Sequence, residues 1–154
     1  FEILVKKPGV YGMIGGQVVD VEKSGTAMDK DELEFVFRCK TAALIEAAMM
    51  IGAILGGASE EEQRKVEQIA RNIGIAFQIQ DDILDVTSTT SELGKPVHSD
   101  ERNQKTTYVT LYGMERARQD VITYSNNAIE EIKTLRGHHE ELISLVSLMI
   151  NRKK

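Results

Sequence analysis

Asp81, Asp82 and Asp85 crowd together in the run Asp81-Asp82-Ile83-Leu84-Asp85. This run directly follows the apolar, glutamine-bearing segment Gly74-Ile75-Ala76-Phe77-Gln78-Ile79-Gln80. Residues three and four apart share a helix face, so Gly74, Gln78, Asp81, Asp82 and Asp85 fall on one stripe. Ile69, Ile73, Ala76, Phe77 and Ile83 supply apolar packing beside it. Carboxylates gathered on a buried or half-buried face repel one another, and burial sharpens the repulsion. A cation must offset them. Mg2+ suits the role, because it takes oxygen ligands, keeps waters and shares one or two carboxylates with substrate phosphates. The plainer reading is an acidic helix end facing water. It fits less well, since these residues lie towards the helix C-terminus, where the macrodipole disfavours negative charge. Gly74, one turn before Gln78, is expected to leave room for a ligand.

Other polar residues point the same way. The stretch from Thr87 to Lys105 contains Gly94-Lys95-Pro96 and ends in Asn103-Gln104-Lys105-Thr106-Thr107. A loop of that length inside a compact domain is usually functional or disordered, and Lys95, Asp100, Arg102 and Lys105 favour function. Three carboxylates followed by two lysines suggest a polyphosphate bridged by a divalent metal. Lys40-Thr41 stands inside a long apolar helical region, where a lysine either snorkels to water or reaches an anion. Gln17 and Asp20, three apart after Gly15-Gly16, share one face of the first helix, whose plain reading is an exposed polar face. His138-His139 lie between Gly137 and Glu140-Glu141 and read as a solvated helix start, because no third metal ligand is evident.

These residues need a scaffold, and the chain is long enough to build one. Its 154 residues, 42% hydrophobic and 28% charged, suffice for a compact domain with its own core. The net charge of −5, with positive charge clustered only at Arg152-Lys153-Lys154, argues against a nucleic-acid surface. Cys39 is the sole cysteine, so no internal disulfide forms and a reducing cytoplasm is the expected compartment. The uncharged stretch between Glu46 and Glu60 is too short for a transmembrane segment, and no secretory leader is visible. A chain opening on Phe1-Glu2-Ile3-Leu4-Val5 is expected to be a fragment.

Only Pro8 and Pro96 interrupt helix formation, and no strand alternation is present. Asp29 with Glu32, and Ser59 with Glu62, look like capping boxes. Ser24-Gly25 and Gly56-Gly57 look like stops. The spacing predicts helices near 11–23, 30–55 with a break around Cys39, 60–87, 106–112, 114–135 and 138–152. That is an all-α antiparallel helical bundle. Segment 42–57, apolar nearly all round, is expected to be the central buried helix, with Gly52 and Gly56 admitting a close neighbour.

Taken in order, these motifs resemble the all-trans isoprenyl (polyprenyl) diphosphate synthases, particularly bacterial farnesyl and geranylgeranyl diphosphate synthases. Gly16-Gln17-Val18-Val19-Asp20 looks like the GQxxD helix of that family and Lys40-Thr41-Ala42 like its KT motif. Phe77-Gln78-Ile79-Gln80-Asp81-Asp82-Ile83-Leu84-Asp85 looks like its second aspartate-rich motif. Leu93-Gly94-Lys95-Pro96 and Asp100 through Thr107 look like the lysine-bearing loop that follows. The match covers nearly the whole chain. It implies the isoprenoid synthase fold and a reaction joining an allylic diphosphate to isopentenyl diphosphate. Carried over, Asp81 would ligate Mg2+, with Asp82 and Asp85 holding its water shell. Lys40 and Lys95 would contact the diphosphate, and Thr41 and Gln78 would lie near the developing cation. Lys105 and Asp100 would order the covering loop, and Gln17, Asp20 and Phe77 would line the substrate cavity.

Two departures qualify the match. The family's first aspartate-rich motif and its upstream basic residues are absent, so residues 1–154 look like the C-terminal half of a single synthase domain. Such a chain would assemble with its missing N-terminal half, in a family whose usual state is a homodimer. His98 stands where a small residue is common. The alternatives are a noncatalytic helical subunit or partner of such a synthase, and an unrelated helical bundle. The retained, mutually repelling carboxylates and their lysines argue against both.

Overall fold

The computed structural model describes residues 1–87 and 105–152. A long helix, α5 (Glu60–Thr87, 28 residues), organises the rest. Its start is fixed locally. The Ser59 backbone N–H donates to Glu62 at 2.8 Å and the Glu62 N–H donates back to Ser59 Oγ at 3.3 Å, the reciprocal cap expected from the sequence. Along α5, Val66, Ile69, Ile73, Ala76, Ile79 and Ile83 recur at helical spacing and are all buried. Such a stripe needs a partner helix. Met114–Ile132 supplies it through Ala117, Val121, Ala128 and Ile132, and Glu140–Ile150 closes the cluster with Val146 and Ile150.

Among the described residues the helices are, in chain order, α1 (Glu2–Lys6), α2 (Met13–Glu22), α3 (Lys30–Val36), α4 (Ala43–Leu55), α5, α6 (Tyr108–Tyr112), α7 (Met114–Ile132) and α8 (Glu140–Ile150). No strand is present among the described residues. None of the helices searched among them is long and apolar enough to cross a membrane. The observed ends lie within three residues of those expected for α7 and α8, and α1 was not foreseen. Asp29 caps α3 through a capping box, accepting from the Glu32 N–H at 2.9 Å.

Three expectations fail here. The predicted break near Cys39 is instead a π-helical turn, Phe37–Ala42, that joins α3 to α4 without leaving helical backbone at Val36 or Ala43. Such wide turns recur at functional sites. Glycines on neighbouring helices press against this one. A Cβ on Gly16 of α2 would sit 2.5 Å from the Lys40 nitrogen, and one on Gly74 of α5 would sit 2.5 Å from Ala42 Cα and Cβ. The space at Gly74 is thus filled by the π turn, not left for a ligand.

The apolar run 42–57 is likewise not the central buried helix. Within α4 only Ala43, Glu46 and Ala47 are buried, and Leu55 is 83% exposed. The central helix is α5. Gly52 meets no atom within 4 Å, while Gly56 caps α4 and Gly57, at φ 78°, turns the chain away. Apolar composition shows that a surface needs covering. It does not say which segment covers it.

Gly74→Ala should destabilise the protein by roughly 1–3 kcal/mol, because the added methyl overlaps backbone-anchored atoms. Gly52→Ala should be neutral or stabilising by up to about 1 kcal/mol through helix propensity. Urea unfolding of both variants is the check, and equal effects would contradict the packing described.

Candidate functional site

Asp20 is where three separate segments meet. It lies buried on α2 and accepts from Lys40 Nζ at 2.7 Å and from Lys105 Nζ at 3.1 and 3.0 Å. Burial pushes its carboxyl up, but the hydrogen bonds and charges of Lys40 and Lys105 outweigh that and hold it below its ordinary value. Lys40 belongs to the π turn. Its neighbour Thr41 points the other way and donates to Gln78 Oε1 on α5 at 2.8 Å. The π turn thereby ties α2 to α5 through two consecutive polar side chains.

Lys105 opens a short extended segment that leads into α6. Thr106 Oγ1 accepts from the Met28 N–H at 2.9 Å, just before α3, and Thr107 caps α6. The Tyr108 N–H then donates to Asp82 Oδ2 at 2.7 Å. Asp20, Lys40, Gln78, Asp81, Asp82 and Lys105 border one pocket of about 210 Å³. Six of the residues singled out in the sequence are therefore brought together from α2, the π turn, α5 and the segment before α6.

The three carboxylates of α5 occupy different surroundings. Asp81, with a side chain 37% exposed, pairs with Arg152 Nη2 at 3.0 Å. Asp82 is buried and holds the first turn of α6. Asp85 is only 2% exposed. Among the described residues, no three His, Cys, Asp or Glu side chains gather closely enough to hold a metal. This donor set does not fit an all-protein cage. It does fit a divalent ion that takes one or two carboxylates from the chain and its remaining ligands from phosphates and water.

The other expected site residues lie elsewhere. Gln17 is exposed on α2 and does not border the pocket. Phe77 does not border it either, and its ring carries the Arg152 guanidinium 3.7 Å from its centroid. Lys95, His98, Asp100 and Arg102 lie outside the described residues. His139 precedes α8, as expected. Cys39 is half-buried, and burial pushes its thiol up.

Sequence reasoning missed Arg152, Thr106 and Tyr108. It also missed a second ion cluster. Lys7 donates to Glu46 and, at 2.6 Å, to Glu67, while Arg71 donates to Glu46 at 3.0 Å. A signal existed for the last: Glu46 is the only charged residue between Lys40 and Glu60. Nothing local marked Arg152, whose partner is 71 positions away.

The family model for polyprenyl synthetase matches residues 7–146. The chain belongs to the polyprenyl synthetase family. It is 45% identical over 132 residues to geranylgeranyl pyrophosphate synthase 11, chloroplastic, of Arabidopsis thaliana, across 84% of this chain and 37% of that protein. It is 39% identical over 118 residues to farnesyl diphosphate synthase of Geobacillus stearothermophilus, across 77% and 40%. Its fold matches the geranyltransferase of Helicobacter pylori, solved with magnesium and isoprenyl diphosphate, with a TM-score of 0.80 and 31% identity over 97% of this chain and 49% of that one. The chain thus spans between a third and a half of the length of these polyprenyl synthetases. The expected cytoplasmic compartment does not follow from the family, since the Arabidopsis relative is named chloroplastic.

The Asp20 cluster has a definite pH signature. A carboxyl held low in the folded state contributes stability above its unfolded pKa, near 3.9, and loses it as pH falls through the folded value. Asp20→Asn should therefore cost roughly 1–3 kcal/mol near neutrality, and the gap from wild type should close below about pH 3.9. Unfolding curves across pH check this, and a gap that is constant down to strong acid would contradict it.

Proposed function

We propose that this chain is the C-terminal part of a single isoprenoid synthase domain. That domain would be a trans-prenyltransferase that condenses isopentenyl diphosphate with an allylic diphosphate, giving a short-chain prenyl diphosphate such as farnesyl or geranylgeranyl diphosphate. The observation that carries the reading is the 210 Å³ pocket where Asp81 and Asp82 face Lys40, Lys105 and Gln78. Family membership and the names of the relatives support it. In the reaction the allylic C–O bond breaks, diphosphate leaves, the alkene of isopentenyl diphosphate attacks to form the C–C bond, and a proton is lost.

The chain's residues divide this work. Lys40 and Lys105 carry positive charge at the pocket wall and stabilise negative charge as it builds on the leaving diphosphate. Lys95 would join them as a diphosphate ligand. The Thr41–Gln78 hydrogen bond fixes two side-chain oxygens whose lone pairs face the developing allylic cation without adding a nucleophilic charge. Gln17, Asp20 and Phe77 line the wider cavity. Asp81 would hold Mg2+, with Asp82 and Asp85 ordering the waters around it. When bound, Mg2+ neutralises diphosphate charge as a Lewis acid. The remaining ligands and the isopentenyl diphosphate site come from the rest of the protein, which works as a homodimer.

In the full-length protein, Asp81→Asn and Lys40→Ala should each lower the condensation rate about 10²-fold or more, the usual cost of removing one preorganised electrostatic stabiliser. The 154-residue chain alone should yield no prenyl diphosphate when supplied with Mg2+ and both substrates. Radiolabelled isopentenyl diphosphate incorporation measures both. Near-normal turnover by either variant would remove that residue from the mechanism, and turnover by the chain alone would overturn its reading as part of a site.

A further inference from the structure

Arg152 lies just beyond α8 and reaches one turn of α5. Its Nη2 is 3.0 Å from Asp81 Oδ1, and its guanidinium carbon lies 3.7 Å from the centre of the Phe77 ring. Phe77 and Asp81 are four apart on the helix, so a single planar cation spans ring face and carboxylate together. The contact is long-range, partly buried on both sides, and joins the residue two beyond α8 to the central helix.

The arrangement differs from the structural arginine pairs elsewhere. Arg136 places two donors on both oxygens of Glu62, at 2.5 and 2.8 Å. Its hydrogen bonds pull the half-buried Glu62 carboxyl down to about 2, with the Ser59 hydrogen bonds and the arginine charge helping. Arg152 gives Asp81 one donor, while its Nε is buried with no acceptor among the described residues. A buried donor without an acceptor is costly. Burial also draws the guanidinium down from its ordinary value, with Asp81 opposing. The side chain is therefore held by charge and by the aromatic face, not by a completed hydrogen-bond set.

We propose that Arg152 is a place-holder cation: it neutralises Asp81 while no divalent ion is bound, and it competes with that ion for the carboxylate. The inference rests on the reading of Asp81 as a metal ligand. The physical case is charge. Asp81 shares its helix with Asp82 and Asp85, and a second or third negative charge on one face raises the need for a positive one. A guanidinium cannot lose its proton to escape that role, and its tether keeps it at hand. A divalent ion arriving at Asp81 meets an occupied carboxylate and a like charge. Once the ion takes Asp81, Arg152 keeps the Phe77 face as a resting place.

The test is Mn2+ binding to the full-length protein without diphosphate, followed by the electron paramagnetic resonance signal of free Mn2+. Arg152→Ala and Arg152→Gln should each tighten Mn2+ binding about three- to tenfold, the range of a partly exposed ion pair removed from competition. Arg152→Lys should fall between them and wild type. Asp81→Asn should weaken binding, and in that background Arg152→Ala should no longer tighten it. Exposed Arg118→Ala controls for overall charge and should leave the affinity unchanged. If Asp81→Asn weakens Mn2+ binding but neither Arg152→Ala nor Arg152→Gln tightens it, the place-holder role is overturned and the metal reading stands. If Arg152→Ala tightens binding equally with and without Asp81→Asn, the role is overturned as well. If Asp81→Asn changes nothing, the metal reading falls and the inference falls with it.

Discussion

Asp20 and Glu46 are almost wholly withdrawn from water, at 7% and 4% exposure, and each is met by two cations from distant parts of the chain. Lys40 and Lys105 serve Asp20, and Lys7 and Arg71 serve Glu46. A buried carboxylate is tolerable only with such partners, and losing one leaves an uncompensated charge. The two acids flank the same π turn. Asp20 grips Lys40 within it, and Glu46 sits one turn beyond it on α4. Gly16 and Gly74 let the neighbouring helices come close enough, but apolar contact between small residues does not set a register. The paired charges do, and Lys40 and Thr41 are where they are because of them.

Helix α5 lets that register reach the pocket. Ile69, Ile73 and Ile79 are at most 1% exposed on its core side. Burying such side chains stabilises by roughly 1.5–3 kcal/mol each. The same turns present Gln78, Asp81 and Asp82 to the pocket. A rotation that moved the polar residues would unseat the isoleucines. Side chains on a helix held in this way keep their geometry better than side chains on a loop. Tyr108 extends the coupling: its backbone N–H satisfies Asp82, while its hydroxyl donates to Asp120 on α7 at 2.7 Å. Burial, with Asp120 beside it, pushes the Tyr108 phenol well up, so it stays a donor.

What was legible in the sequence was local. The capping boxes at Asp29 and Ser59, the stop at Gly56-Gly57 and the stripe along α5 each involve residues within a few positions of one another, and each formed. So did the nearness of Asp20, Lys40, Gln78 and Lys105, which ordered motifs implied and single spacings did not. The π turn looks like a break in the sequence because a widened turn disturbs the 3.6-residue pattern much as an interruption does. The apolar run 42–57 looks buried because composition counts side chains without locating their partners. Arg152 on Asp81 and Lys7 on Glu46 join residues 71 and 39 positions apart, and no periodicity carries information over that range. The long loop reading falls on residues 88–104, outside those described.

Charge arithmetic in the pocket bears on what it can accept. Asp20 with Lys40 and Lys105 sums to one positive charge, Asp81 with Arg152 sums to none, and Asp82 on the same wall brings these side chains to zero. Among the described residues, each cation at this wall already has a carboxylate partner, and Asp20 and Asp81 each already have a cation. Binding a polyanion here is therefore an exchange of partners, not the filling of bare charge. With no surplus positive charge among these side chains, a diphosphate, whose several negative charges would repel Asp81 and Asp82, is left without compensation. Under the proposed function the deficit would be met by further cations, divalent ions among them. Cations that arrive with the substrate meet it only when the substrate is present. Under the proposed function, a pocket that is neutralised internally when empty and short of positive charge when filled would make ion and polyanion bind together, because neither finds full compensation without the other.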